Sequence, residues 1–334
     1  MSTKLIVILL ILLLPQIYYL IGEGRYRSFN VGSKFFKRKT IKKEDFYEEV
    51  YITNTDGFDL FVRILSCENP KGIIQLVHGV AEHSGNYMDF AKYLNKNGYI
   101  VAVSDHRGHG KSISTTYPNG YMKRTEEIVD DEIMLAKFMK EKYKNLDYYL
   151  LGHSMGSMLA RLFIRENDDL IDKLILTGTV PVNKAAGLGV FFYNFVNFYL
   201  TDKGESKLID AIVGARGLDF ISYDEENKKI KANDPLRIFN FRRGYSKTLI
   251  EINNKLGKKS SYQVKNPDLK IYNMVGEDDI ITKGDEGIKS TIAYLKNLGY
   301  KNISNKVYKE MKHEILNETE RETVYEDMVE VLNS

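Results

Sequence analysis

The sequence predicts an α/β protein whose mostly parallel central sheet is covered by helices on both faces, and three observations support this prediction. Apolar runs of strand length alternate with segments of helical periodicity through most of the chain. Most of these runs lack polar alternation, which is typical of strands that are buried on both faces. The alternation stops at about residues 181–264, which indicates a helical cap inserted over the C-terminal edge of the sheet.

The expected strands and helices follow one another from residue 48 onward. The strands are Glu48–Asn54, Phe58–Leu65, Gly72–Val77, Tyr99–Ser104, Tyr148–Leu151, Leu174–Leu176, Lys270–Val275 and Lys306–Tyr308. The helices are Asn86–Lys96, Glu126–Lys144, Met155–Arg165 and two segments at about 285–297 and 319–332. Asp56 and Gly57 form a turn signal between the first two strands, which predicts a hairpin.

The first 22 residues are predicted to be a hydrophobic anchor or a signal sequence. Leu5–Leu14 is an unbroken apolar run, and the apolar character continues to Ile21, which is near the shortest length that spans a bilayer. Because no small-residue cleavage site follows, an uncleaved anchor is favoured over a removed signal peptide. Residues 23–45 are basic and are predicted to be a linker before a globular domain at 46–334.

The location of the domain depends on which of these two interpretations holds. The basic residues after the apolar run favour a cytoplasmic domain by the positive-inside rule. A signal peptide would instead export the domain, so secretion stays open. The favoured anchor predicts a protein associated with a membrane through its N-terminal segment, and the sequence leaves the side of the membrane open.

The composition excludes several classes of protein. Hydrophobic residues make up 43% and charged residues 28%, which argues against a disordered chain. The net charge is +3 and the basic residues are mixed with acidic ones, so no nucleic-acid partner is expected. The single cysteine, Cys67, rules out an internal disulfide. His106 and His109 lack matching carboxylate–histidine spacing, so no metal site is expected, and the sequence implies no other cofactor.

The strongest local signal is Gly152-His153-Ser154-Met155-Gly156, which lies directly after an apolar strand and before a helix. This G-x-S-x-G pattern predicts a tight turn that exposes a serine hydroxyl at a helix N-terminus. Gly152 and Gly156 are expected because the turn leaves no room for side chains there. Ser154 is therefore the candidate nucleophile.

A serine hydroxyl needs a base, and in this structural context the chain order is serine, acid, histidine. Of six histidines only His313 follows Ser154, so His313 is the candidate base. The acid is expected after the penultimate strand, where three carboxylates are adjacent: Glu277, Asp278 and Asp279. Asp279 is preferred and Asp278 is the alternative; the acid would orient the imidazole and stabilise its charged form.

Backbone N–H groups are expected to bind the oxyanion that forms during ester cleavage. One donor is Met155, the residue after the nucleophile. The other is Val80, in the loop after the strand that ends in His78 and Gly79. His78, Gly79, Gly152, His153 and Gly156 are predicted to support the site without taking part in the chemistry.

These motifs resemble those of the monoacylglycerol lipase and lysophospholipase group of α/β-hydrolases, which also holds serine aminopeptidase-like sequences. The resemblance is carried by segments 78–84 (HGVAEHS), 105–112 (DHRGHGKS) and 152–156 (GHSMG), and the ending 313–318 (HEILNE) is similar to that of bacterial lysophospholipase-like members. It covers roughly residues 46–334 and is weakest in the cap. It implies an α/β-hydrolase fold, and the group's G-x-x-D pattern supports Asp279 over Asp278.

The motifs and the resemblance together predict a serine hydrolase that cleaves carboxylic esters of single-chain lipids through an acyl-enzyme. The substrate would be a lysophospholipid or a monoacylglycerol. A peptidase or aminopeptidase-like activity and a short-chain carboxylesterase are the enzymatic alternatives, and a membrane-tethered binding module is the non-enzymatic one. The sequence leaves the oligomeric state open.

An aromatic stretch at residues 190–199 lies within the cap segment. Three roles stay open for it: lining an acyl-chain pocket, contacting a membrane, and packing the cap on the core.

Overall fold

The protein is described by a computed structural model that covers residues 2–29, 35–207 and 217–334. Its strands are β1 (Phe35–Glu44), β2 (Tyr47–Asn54), β3 (Asp59–Leu65), β4 (Gly72–Val77), β5 (Tyr99–Ser104), β6 (Tyr148–His153), β7 (Lys173–Thr177), β8 (Lys270–Gly276) and β9 (Ile303–Tyr308). Its α-helices within this range are α1 (Thr3–Phe29), α2 (Met88–Lys96), α3 (Thr125–Lys142), α4 (Met155–Asn167), α5 (Ala186–Leu200), α6 (Glu225–Ala232), α7 (Arg243–Leu256), α8 (Gly284–Leu298) and α9 (Arg321–Asn333).

The strands form one sheet in the order β1-β2-β3-β5-β4-β6-β7-β8-β9. The pairs from β1 to β5 are antiparallel, and all pairs from β5 to β9 are parallel. This arrangement confirms the predicted α/β fold with a mostly parallel sheet. The hairpin between β2 and β3 turns at Gly57, whose φ of +81° suits the residue expected there.

The two faces of the sheet bury different sets of apolar side chains, because successive residues of a strand point to opposite sides. In β4, Ile73 and Val77 pack in the cluster that includes α3, α4 and α8. Ile74 and Leu76 pack in the second cluster, with α2 and α9. The central strands are therefore covered on both sides, which explains their nearly continuous apolar sequences.

The predicted linker at residues 23–45 is corrected by the structure. α1 continues to Phe29, and Phe35–Glu44 forms β1, which pairs with β2 at the edge of the sheet. The described side chains of β1, from residue 38 onward, are exposed, so no apolar alternation revealed the strand. Backbone pairing and cross-strand charge pairs such as Arg38 with Glu48 hold it, and its lysines are typical of an edge strand.

The segment between β7 and β8 is helical where the structure describes it. It contains α5, α6 and α7, and its described residues form no strand beyond an isolated bridge between Glu205 and Arg242. We call residues 181–264 the cap. α5 and α7 pack against each other, and α7 also contacts α4 of the core.

Candidate active site

Ser154 lies at the junction of β6 and α4 with a backbone φ of +53°. A residue other than glycine in this region carries strain of roughly 1–3 kcal/mol, which persists only where the surroundings hold it. The Ser154 N–H donates to the Thr177 carbonyl at 3.0 Å, and the Ser157 hydroxyl donates to the Ser154 carbonyl at 2.6 Å. The junction is thus held from β7 and from α4.

The two glycines of the elbow are required by close backbone contact. A Cβ atom added to Gly152 would lie 2.3 Å from the carbonyl oxygen of Gly156. A Cβ atom added to Gly156 would lie 1.9 Å from the carbonyl oxygen of Val77. Both distances are far shorter than a carbon–oxygen contact allows, so the structure gives the physical reason for the predicted spacing.

His313 and Asp279 form a buried pair. The Nδ1 atom of His313 lies 2.9 Å from Oδ2 of Asp279. Asp279 also accepts hydrogen bonds from the Ile281 N–H at 2.8 Å and from the Thr282 hydroxyl at 2.6 Å. These contacts fix the carboxylate and assign the proton of the pair to Nδ1 of the imidazole.

The neighbouring carboxylates point elsewhere. Glu277 and Asp278 are exposed, and Asp278 accepts a hydrogen bond from the hydroxyl of Tyr223 at 3.0 Å. Asp279 is therefore the carboxylate of the three that contacts His313.

The charges of the pair support each other. Burial raises the pKa of Asp279, but the charge and hydrogen bond of His313 outweigh burial and lower this pKa to about 2. Burial lowers the pKa of His313, but the Asp279 carboxylate outweighs it, and the pKa is raised above the ordinary value. Asp279 is consequently ionised at neutral pH and stabilises a positive charge on His313.

His153 connects the elbow to this pair. Its ring centroid lies 4.8 Å from that of His313, and its Nδ1 atom lies 3.1 Å from the hydroxyl of Thr177. Since His153 directly precedes Ser154, the elbow and the Asp279–His313 pair occupy the same edge of the sheet. Burial lowers the pKa of His153 to about 4, so the ring is neutral at pH 7 and adds no positive charge beside His313.

The loop of Val80 is held on both sides of the predicted oxyanion donor. The Gly79 N–H donates to Oε2 of Glu82 at 2.8 Å, and the Ala81 N–H donates to the Tyr245 hydroxyl at 3.3 Å. Tyr245 belongs to α7 of the cap. Met155, which carries the other predicted donor, is the first residue of α4, where an N–H group has no partner within the helix.

Neighbouring loops are held in place by three of the histidines that precede Ser154: His78, His106 and His109. Nε2 of His78 accepts a hydrogen bond from the His106 N–H at 3.0 Å, and Nε2 of His106 lies 3.1 Å from the His78 carbonyl. His109 contacts the Tyr245 hydroxyl through Nε2 at 3.1 Å. Burial lowers the pKa values of His78 and His109, that of His109 to about 3, so both rings are neutral at pH 7.

Three buried charged residues near the site had no role in the sequence-based prediction. They are Glu82, Lys231 and Glu314. Glu82 lies two residues after Val80 in the segment 78–84, and Glu314 directly follows His313. This closeness to predicted site residues is a local signal that could have identified both glutamates. Lys231 stands in a lysine-rich cap helix and has no such signal in the sequence.

A cavity of about 1500 Å³ lies between α1 and the cap. Its lining is mixed: polar residues such as Gln16 and Lys247 lie beside apolar ones such as Leu20 and Phe198. None of the residues that line it belongs to the predicted catalytic site, so this cavity is separate from the candidate active site.

A mostly parallel sheet with a strained serine elbow and an acid–histidine pair at one edge defines an α/β-hydrolase. The chain belongs to the serine aminopeptidase S33 family, whose profile matches residues 68–320.

Individual relatives carry lipase and phospholipase names. The chain is 24% identical to monoglyceride lipase from Rattus norvegicus over 193 residues, which cover 57% of this chain and 63% of the relative. It is 24% identical to phospholipase YtpA from Bacillus subtilis over 77% of this chain and 93% of the relative. The match to lysophospholipase L2 from Escherichia coli is 28% identical and covers 46% of this chain and 44% of the relative. The chain thus matches less than two thirds of the monoglyceride lipase.

Solved structures support the fold. A thermostable carboxyl esterase from Bacillus coagulans superimposes with a TM-score of 0.72 at 24% identity, over 89% of this chain and 98% of the esterase. A soluble variant of monoglyceride lipase from Saccharomyces cerevisiae superimposes with a TM-score of 0.66 at 20% identity, over 89% of this chain and 96% of the lipase. At such identities the likeness establishes the α/β-hydrolase fold and nothing beyond it.

Proposed function

We propose that this protein is a serine hydrolase of carboxylic esters, with Ser154 as the nucleophile, His313 as the base and Asp279 as the acid. The 2.9 Å contact between His313 and Asp279 at the edge that carries the strained Ser154 is the observation that supports this best. The two carboxylates beside Asp279 are exposed and do not compete for this role.

The reaction follows from these positions. The Ser154 hydroxyl attacks the ester carbonyl carbon while Nε2 of His313 takes its proton, and Asp279 stabilises the imidazolium. The N–H groups of Val80 and Met155 bind the oxyanion. When the tetrahedral intermediate collapses, the ester C–O bond breaks and His313 protonates the departing alcohol. A water molecule then repeats the attack on the acyl-enzyme, releases the fatty acid and restores Ser154.

We propose esters of single-chain lipids, a monoacylglycerol or a lysophospholipid, as the substrates. The names of the rat and Escherichia coli relatives support this choice, since they refer to lipids with one acyl chain. The apolar helix α1 supports it as well, because an enzyme held at a membrane meets substrates that partition there.

A substrate panel tests this choice. We expect the full-length protein in mixed micelles to hydrolyse long-chain monoacylglycerol or lysophosphatidylcholine with a higher kcat/KM than p-nitrophenyl butyrate. Turnover of aminoacyl p-nitroanilides above that of all esters would contradict the proposal and favour the aminopeptidase alternative. A preference for p-nitrophenyl butyrate would instead favour a short-chain carboxylesterase.

We also propose that α1 is an uncleaved membrane anchor. Residues Thr3–Arg27 are long and apolar enough to cross a membrane, a property that a signal sequence shares. Most of the apolar side chains of this segment are exposed. The basic residues near its C-terminal end and in β1, such as Arg25, Arg27 and Lys39, favour a domain on the cytoplasmic side.

The cap helix α5 supports this proposal because it packs beside α1. The side chain of Gln16 accepts a hydrogen bond from Asn194 at 2.8 Å, and the Tyr199 hydroxyl donates to the Ile11 carbonyl at 3.0 Å. α5 also exposes apolar side chains: Leu188 at 76%, Phe192 at 55% and Leu200 at 61%. Of the three roles considered for residues 190–199, contact with a membrane fits this exposure best.

Membrane extraction tests the anchor. We expect the full-length protein to stay in the membrane pellet after alkaline carbonate treatment, with an intact mass that includes the first 22 residues. Leu10→Arg places a charge in the middle of the apolar segment, which costs about 2.5–3.5 kcal/mol of insertion free energy and should release protein into the supernatant. Leu10→Ile is the matched control. A mature protein that lacks residues 1–22 would contradict the anchor and support the signal sequence.

A further inference from the structure

One buried lysine of the cap contacts the edges of the candidate active site. Lys231 lies on α6 and is 3% exposed. Its Nζ atom lies 2.6 Å from Oε1 of Glu82 and 2.6 Å from Oε1 of Glu314. All three residues are buried, so this ammonium group lies between two carboxylates with little screening by water.

Glu82 links the lysine to the oxyanion loop. Its second oxygen, Oε2, accepts hydrogen bonds from the Gly79 N–H at 2.8 Å and from the Tyr87 hydroxyl at 2.7 Å. Burial raises the pKa of Glu82, but the charge of Lys231 outweighs burial and holds this pKa well below the ordinary value. The ionised Glu82 therefore fixes the backbone that directly precedes Val80, through charge-assisted hydrogen bonds.

Glu314 links the same lysine to the loop of the histidine. It directly follows His313, and its own N–H donates to the Ile221 carbonyl in the cap at 2.7 Å. Its Oε2 atom also accepts a hydrogen bond from Asn227 at 3.3 Å. Asn227 and Lys231 are four residues apart on α6 and share one face of this helix. This face therefore holds the loop of His313 through two side chains.

The lysine also balances charge beside His313. The carboxylates of Asp279, Glu314 and Glu82 raise the pKa of His313, against the effect of burial. His153 faces the same ring and is neutral at pH 7 because burial lowers its pKa to about 4. Lys231 is thus the positive group that offsets Glu82 and Glu314. Without it the site would be more negative, and His313 would be protonated more readily.

We propose that Lys231 is a positioning residue that couples the cap to the hydrolytic site, because its ammonium group holds the Val80 loop through Glu82 and the His313 loop through Glu314. This inference rests on the hydrolytic function proposed above. Lys231 does not touch the reacting atoms. Its effect reaches them through the two loops, so the position of a cap helix determines whether the oxyanion donor and the base are both in place.

The first test replaces Lys231 in the full-length protein and uses p-nitrophenyl butyrate, whose short acyl chain makes few contacts with a cap. We expect Lys231→Met to lower kcat by roughly 10-fold to 100-fold with a smaller change in KM, because small displacements of catalytic groups reduce rates by such factors. Lys231→Arg should recover much of this loss. Lys229→Met is the matched control, because Lys229 is exposed on the same helix.

The second readout is the pH dependence of kcat/KM, which reports the ionisation of the free enzyme. His313 must be neutral to accept the proton, so activity is lost as the pH falls through its pKa. The group of Glu82, Glu314 and Lys231 has a formal charge of −1, from two carboxylates and one ammonium. Lys231→Met changes this charge to −2, which favours the protonated form of His313. The acid limb of the kcat/KM profile, where activity falls with falling pH, should therefore move to higher pH.

A charge-restoring variant separates the two effects. Adding Glu314→Gln to Lys231→Met returns the formal charge to −1, so the acid limb should move back while kcat stays low because the link to the cap is lost. Glu314→Gln alone removes one carboxylate and should move the limb to lower pH. This single variant keeps the test decisive if Lys231→Met does not fold.

The inference is overturned if Lys231→Met matches Lys229→Met in both kcat and acid limb, or if Glu314→Gln leaves the limb in place. In both cases a fluorophosphonate probe should still label Ser154, and the proposed function would stand. Failure of the probe to label the wild-type protein, together with absent ester turnover, would instead remove the proposed function itself.

Discussion

Replacement of Ser154 with alanine is expected to lower the kcat for ester hydrolysis by at least about 10⁴-fold, because the variant has no nucleophile to form the acyl-enzyme. The hydroxyl of Ser154 is held at a turn with a φ of +53°, between two glycine positions that exclude side chains. Residual turnover would come from the oxyanion donors alone. The measurement is initial-rate hydrolysis of a lipid ester together with labelling by a fluorophosphonate probe.

The control for this variant is Ser260→Ala, since Ser260 is exposed on the surface. We expect the wild-type protein and the control to be labelled and active, whereas Ser154→Ala is neither. Thermal unfolding should show that the Ser154→Ala variant is folded. Unchanged labelling or turnover in Ser154→Ala would rule out this serine as the nucleophile. If the wild-type protein were neither labelled nor active, the non-enzymatic binding module would become the better hypothesis.

Asp279→Asn is expected to lower kcat by about 10⁴-fold, because an amide in this position favours the wrong tautomer of the histidine. Oδ2 of Asp279 accepts hydrogen bonds from the His313 ring and from Thr282, whereas an asparagine nitrogen at that position would present a donor to Nδ1. The measurement is kcat at a pH well above the acid limb, so that protonation of His313 does not contribute.

Asp278→Asn is the matched control for this variant. The two aspartates are adjacent, but Asp278 is exposed and contacts the hydroxyl of Tyr223. We expect Asp278→Asn to keep nearly the activity of the wild-type protein. The opposite pattern, with loss of activity in Asp278→Asn and retention in Asp279→Asn, would assign the acid to the neighbouring residue and contradict the structural interpretation.

The sequence could predict the elements whose signals are local. The succession of strands and helices from β2 onward, the hairpin at Gly57 and the apolar sequences of the parallel strands all follow from short-range patterns, and the structure confirms them. The elbow around Ser154 has a local signal as well, the G-x-S-x-G pattern after an apolar strand, although Gly156 is also required by the carbonyl of Val77 in β4, which is distant in sequence. β1 was missed because an exposed edge strand rich in lysine has no apolar alternation.

The choice between Asp278 and Asp279 shows where a local pattern stops being sufficient. Adjacent residues after a strand point in opposite directions, so a small change of backbone angle decides which of the two reaches the histidine. The structure directs Asp279 inward, where the Ile281 N–H and the Thr282 hydroxyl fix its carboxylate. Spacing alone was ambiguous among the three carboxylates, and the resemblance to a family pattern supported the preference for Asp279.

By itself, the sequence determined the α/β fold, the elbow and the single histidine that can follow the serine, because each depends on residues close in the chain or on chain order. Only the tertiary structure decided that Asp279 pairs with His313, that α5 lies along α1, and that Lys231 connects Glu82 to Glu314. These contacts join residues that are 34 to 178 positions apart. The packing of the cap and the helices on the sheet, which brings such residues together, leaves no periodic or short-range signal in the sequence.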